Sequence, residues 1–221
     1  MLIKSPMRIS LLAGLLLTSQ WLGGACYAAD QTTQVRVTTN LGQFVIEVFN
    51  DRAPVTSANF LRNVREGFYS NTLFHRVVPN FVIQGGGHDA TTQQLKPTHE
   101  NVFNESGNGL QNKRGTVGMA RGGPPHSGNA QFYVNLVDNP DLDPVPTRWG
   151  YAVFGRILQG MDVIDRIGET PTGAVGPFKS DAPLKPVIIE KMEIISPQQA
   201  ASPPPVTPVT PPAPNTILSP K

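Results

Sequence analysis

The sequence is short of cysteine, of charge and of long apolar runs, and each shortage excludes something. One cysteine, Cys26, allows neither a disulfide framework nor a multi-cysteine zinc or iron–sulfur site. Charged residues are only 15% of the 221, with Lys+Arg 18 against Asp+Glu 16, so the clustered basic field that nucleic-acid binding requires is missing. The apolar stretch Ile9–Leu17 is too short for the roughly 20 residues of a spanning helix. Catalytic signatures are absent too: there is no GxSxG elbow, HExxH, P-loop or CxxC. His75, His88, His99 and His126 lack ligand spacing, so no metal and no cofactor are expected. His126 and Ser127 are adjacent, and adjacent side chains on an extended strand point to opposite faces, which argues against a hydrolase. Gly85-Gly86-Gly87 follows a strand but leads into polar sequence rather than a helix, so it reads as a turn and not as an anion cradle.

What is abundant is proline and glycine, at 22 and 21, and their distribution divides the chain. Residues 1–29 read as a cleaved secretory signal, with Lys4 and Arg8 before the apolar stretch and small residues at Cys26-Tyr27-Ala28-Ala29. A periplasmic or secreted protein follows from that reading, without stable membrane insertion once the signal is removed. Lipidation at Cys26 is the alternative, although Gly23 fits a lipobox poorly. Residues 196–221 hold nine prolines, no glycine and one charge, Lys221, and are expected to form a disordered, polyproline-like tail. Residues 30–195 remain as one globular unit, and everything beyond residue 29 carries 16 basic and 16 acidic residues, formally neutral.

Within this unit, Val35–Thr39 and Gln43–Phe49 alternate around Asn40-Leu41-Gly42, as a β-hairpin does. Strand-like runs follow at Leu73–Val77, Phe81–Gln84, Thr116–Ala120, Gln131–Asn135, Tyr151–Ile157 and Val187–Ile195. One helix is expected after Pro54, with Val55, Ala58, Leu61 and Val64 as its apolar stripe and Gly67 as its stop. A second spans Met161–Ile167, stopped by Gly168. Eight short strands and two helices predict a mainly β protein, a closed antiparallel barrel or sandwich. Strand alternation places Phe74 with Arg76 on one face and His75 with Val77 on the other. Arg76 in an apolar run needs its donors satisfied, and Gln84 on the next strand is a candidate partner.

The segment Phe74-His75-Arg76-Val77-Val78-Pro79-Asn80-Phe81-Val82-Ile83-Gln84-Gly85-Gly86 carries the most information. Together with Met119–Gly123, Gln131–Asn135 and Gly150–Ile157 it resembles the cyclophilin family of peptidyl-prolyl isomerases, across nearly all of residues 33–195. The resemblance is greatest to bacterial periplasmic members. It implies a closed eight-stranded antiparallel barrel capped by two helices, acting on proline-containing polypeptides, and a monomer is expected. It further implies that Arg76 is the catalytic arginine and that Gln84 orients it and contacts substrate backbone. Phe81, Val82, Tyr133 and Leu142 would line the proline pocket, and Ala120, Arg121 and Gln131 would meet the peptide backbone. Tyr151 stands where many members have histidine. Asp141 departs from the pattern, since an aromatic usually precedes the pocket leucine. The alternative function is a chaperone module that binds proline-containing segments without turning them over.

Overall fold

The structure is a computed structural model that describes residues 31–196 and Gln199. The expected signal and almost all of the expected tail lie outside the described residues. Eleven strands and two α-helices alternate as β1 (Thr32–Thr39), β2 (Gly42–Phe49), α1 (Pro54–Arg65), β3 (Thr72–Leu73), β4 (Arg76–Val78), β5 (Val82–Gly85), β6 (Thr116–Met119) and β7 (Phe132–Asn135), then β8 (Val153–Gln159), α2 (Met161–Gly168), β9 (Thr172–Val175), β10 (Phe178–Pro183) and β11 (Ile188–Ile195). Nine of the strands form one curled antiparallel sheet in the order β3-β11-β1-β2-β8-β6-β7-β5-β4.

The first hairpin forms as its alternation predicts. Val35 and Val37 face Ile46 and Phe44 across the ladder, all four buried, because the two-residue turn sets the register. The fold is mainly β with two helices, as expected, but the count and the closure differ from a closed eight-stranded barrel. No ladder joins the sheet's two end strands, β3 and β4. They are consecutive pieces of one chain segment, so the sheet curls until its ends meet at Phe74-His75. There the chain changes partners: Leu73 pairs with Ile188 on β11, whereas Arg76 pairs with Gln84 on β5.

That change of partner also corrects the alternation expected for Leu73–Val77. Phe74 and Val77 both enter the core, while Arg76 turns outward. His75 packs instead against His88 and Phe178, with ring centroids 4.3 and 5.6 Å away. The two-stranded β9–β10 sheet, which supplies Phe178, was not foreseen in the sequence.

The core centres on Phe60, Tyr69, Phe74, Phe132 and Phe154, all at most 1% exposed. Phe60 lies 5.0–5.8 Å from the rings of Tyr69, Phe132 and Phe154, a tilted and edge-on cluster that adds to area burial. Its bulk decides which face of α1 is buried. Phe60, Leu61 and Val64 face the sheet together with Thr56 and Ser57, whereas Val55 and Ala58 of the expected stripe are exposed. Proline at the first turn starts α1, and the Glu105 carboxylate accepts from the backbone N–H groups of Val55 (3.0 Å) and Thr56 (2.7 Å). Gly67, at φ 70°, follows its last turn as expected.

Candidate active site

A tight turn sets the first wall of the site. Pro79 fixes its own φ and Asn80 adopts φ 58°, closing a hydrogen bond from the Phe81 N–H to the Val78 carbonyl at 3.1 Å. The turn places Arg76 directly across from Gln84, and Gln84 in turn across from Tyr133 on β7. Arg76, Phe81, Val82, Gln84, Ala120, Arg121, Tyr133, Leu142 and Tyr151 line one cavity of about 190 Å³. These residues come from five separate chain segments, and each was singled out in the sequence. Gln131 joins them through a 3.0 Å hydrogen bond accepted from the Gln84 amide.

The apolar side of the cavity consists of Phe81, buried Val82, Tyr133 and Leu142. Tyr133 owes its place to Gly118, since a Cβ there would fall 2.2 Å from the tyrosine oxygen. The ring therefore passes over bare backbone, and its hydroxyl donates to Asn112 Oδ1 at 2.5 Å. Burial, with Tyr151 and Asp143 nearby, pushes the Tyr133 hydroxyl well above its ordinary value, so it remains a neutral donor. Asn112 also takes an Asn135 hydrogen bond and gives two to Asp143 Oδ1, from its own backbone and side-chain nitrogens. Asn139 donates to the Phe81 carbonyl (3.0 Å) and to Asn135 (2.7 Å). This buried network of asparagines fixes the pocket from behind. Sequence reasoning missed it because a buried asparagine and a turn asparagine look alike in a sequence.

The two rim arginines are held differently. The Arg121 guanidinium donates to the carbonyls of Gly150 (3.2 Å), Gly122 (3.0 Å), Gly123 (3.3 Å) and Trp149 (3.0 Å), and it lies 4.4 Å over the Tyr151 ring. Arg121 is thus a clip joining two rim loops, more than the peptide contact expected of it. The Arg76 side chain makes no hydrogen bond among the described residues, and the side chain of Gln84, its expected partner, donates to Gln131 instead. The guanidinium stands 5.9 Å from the Phe81 ring, with Asp181 Oδ2 3.9 Å from its Nε. Asp141 contributes its carbonyl to Arg148 (2.8 Å), and Trp149 packs on His126 (5.2 Å) outside the cavity.

A larger hollow of about 400 Å³ lies between the first hairpin and α2. Its Asp162 and Arg166 are already paired with each other at 2.9 Å, and it gathers no comparable set of apolar walls and free donors. The small cavity, by contrast, offers an apolar floor, amides for a passing backbone and one cation with unused donors. Such a site has the size of a single compact side chain.

The chain belongs to the family described as cyclophilin type peptidyl-prolyl cis-trans isomerase/CLD, whose sequence profile matches residues 34–194. As a member it is a prolyl isomerase acting on proline-containing polypeptides. It is 48% identical over 159 residues to the peptidyl-prolyl cis-trans isomerase B of Escherichia coli, spanning 71% of this chain and 96% of that one. With a peptidyl-prolyl cis-trans isomerase of Acinetobacter baylyi it shares 44% over 177 residues, 79% of this chain and 93% of the relative. Among solved structures, a Cryptosporidium parvum cyclophilin type peptidyl-prolyl cis-trans isomerase is similar at TM-score 0.65 and 28% identity, over 75% of this chain and 99% of that one.

Proposed function

We propose that the chain catalyses isomerisation with Arg76 as hydrogen-bond donor to the prolyl nitrogen, in a pocket that holds the proline ring against Phe81, Val82, Tyr133 and Leu142. The observation that carries this reading is the cavity of about 190 Å³ with an uncommitted guanidinium at its edge. It lies below the roughly 300–1,000 Å³ usual for whole small-molecule ligands, which suits one side chain. A related Cryptosporidium parvum structure was determined in the presence of the dipeptide Ala-Pro.

The chemistry requires no nucleophile. The X–Pro bond resists rotation because amide resonance imposes a barrier of about 18–20 kcal/mol. As it twists, resonance is lost and a lone pair develops on the prolyl nitrogen. A donor aimed at that nitrogen binds the twisted state and scarcely binds the planar one, which is what lowers a barrier. Gln84, Gln131 and the Ala120–Arg121 segment hold the flanking backbone while the bond turns. Removing one such donor costs on the order of 100- to 1,000-fold in rate. Arg76→Ala therefore lowers kcat/KM about 100-fold or more with the circular dichroism unchanged, as read by NMR exchange on an Ala-Pro peptide. An unchanged rate refutes the role of Arg76, and retained peptide affinity without turnover in the parent favours the chaperone reading.

The signal-like residues 1–29 support clients among exported polypeptides. N-terminal sequencing of the protein recovered from the exported fraction tests this, with a start near Asp30 expected.

A further inference from the structure

If Gln84 does not hold the guanidinium, something else must limit its freedom. An arginine side chain has many rotamers, and an unrestrained one at a half-open rim meets the twisting nitrogen only part of the time. The charged group beside Arg76 is Asp181, on β10, with Oδ2 3.9 Å from Nε. We propose that Asp181 is a positioning residue for Arg76, restraining the Nε side of the guanidinium and leaving the terminal nitrogens to face the pocket. The proposal rests on the role assigned to Arg76 above.

Three features of the backbone point the same way. Asp181 adopts φ 57°, a left-handed conformation uncommon outside glycine but tolerated by aspartate. It does so inside a bulge: between the paired positions Phe178↔Val175 and Ala182↔Gly173, β10 advances four residues while β9 advances two. A bulge redirects a side chain, and here the redirected one comes to Arg76. The strand around it is pinned at both ends, by Phe178 against His75 and His88 and by Ala182, which is 2% exposed. Ser180 Oγ lies 3.2 Å from Asp181 Oδ2 and donates to it, steadying the carboxylate. The pair itself is 37% and 42% exposed, too open to contribute much to stability. Strain maintained at a contact of little stabilising worth is a signature of function.

The test uses the full chain and an Ala-Pro tetrapeptide, with kcat and KM separated. Asp181→Asn removes the charge, and Asp181→Gly removes the side chain without backbone penalty. Both are expected to lower kcat about two- to fivefold with KM unchanged. In an Arg76→Ala background Asp181→Asn is expected to cost nothing further, and in the parent it shifts the Arg76 Nε–H NMR resonance. A folded Asp181→Asn and Asp181→Gly with the parent's kcat overturn the proposal alone. So does the same fold-loss in the Arg76→Ala background, which marks a merely structural effect. If Arg76→Ala turns over like the parent, the role of Arg76 falls and this proposal falls with it.

Discussion

The two arginines at the rim of the pocket are the same residue put to opposite uses. Arg121 donates to four backbone carbonyls and rests on Tyr151, so its charge is consumed in holding two loops together. The Arg76 guanidinium has a single loose ionic neighbour and no hydrogen bond among the described residues. A donor can serve a reaction only if the fold has not already filled it. Which arginine is free depends on where carbonyls happen to converge, and that lies beyond the reach of local pattern.

The sharpest way to break the contrast is to delete each arginine. Arg76→Ala reduces turnover about 100-fold at unchanged melting temperature, whereas Arg121→Ala acts on stability, costing about 1–2 kcal/mol, and raises KM with kcat largely kept. Urea unfolding beside the isomerase assay separates the two, and equal activity losses would erase the distinction.

Next in size is a dependence on pH at the neighbour of Arg76. His75 is pushed down to about 3, chiefly by burial and then by His88 and Arg76, so it stays neutral in the folded protein. The unfolded chain regains the ordinary value near 6.5 and binds the extra proton. Stability from this residue is therefore complete above about pH 6.5 and is lost as pH falls toward 3, by up to about 1.4 kcal/mol per pH unit. Urea titrations from about pH 7 to about pH 4 should show a flatter slope in His75→Gln, and an identical slope would locate the acid sensitivity elsewhere.

The smallest effect concerns the wall between the arginines. Tyr133→Phe removes the donor to Asn112 Oδ1, which keeps its bond from Asn135, and should cost about 1 kcal/mol with the rate nearly unchanged. A large loss of turnover would show that the hydroxyl matters to the reaction as well as to the pocket wall.

Much of this was legible in the residues. The first hairpin follows from alternation around Asn40-Leu41-Gly42, and the turn at Pro79-Asn80 sets Arg76 opposite Gln84. Every cavity residue named from the sequence lines it or, as Gln131 does, bonds to one that does. What escaped notice depends on contacts between distant segments. The β9–β10 sheet is mostly half-buried with Pro177 in its connecting turn, so neither period nor hydrophobicity marks it. Asp181 reaches Arg76 only through a bulge that no local rule announces. The face of α1 followed the largest ring, Phe60, rather than the tidiest spacing of three.

The seam at Phe74-His75 has a consequence for synthesis. The residue just ahead of the arginine's own strand is held by β11, with Leu73 paired to Ile188 and the Phe74 N–H bonded to the Val187 carbonyl at 2.9 Å. A ribosome emits the chain from its N-terminus, so residues 72–74 wait for a partner more than a hundred positions downstream. The nascent protein can pair Arg76 with Gln84 early, but it cannot anchor the residues just ahead of that strand until β11 emerges. The seam beside the arginine therefore closes only when almost the last strand of the domain has left the tunnel.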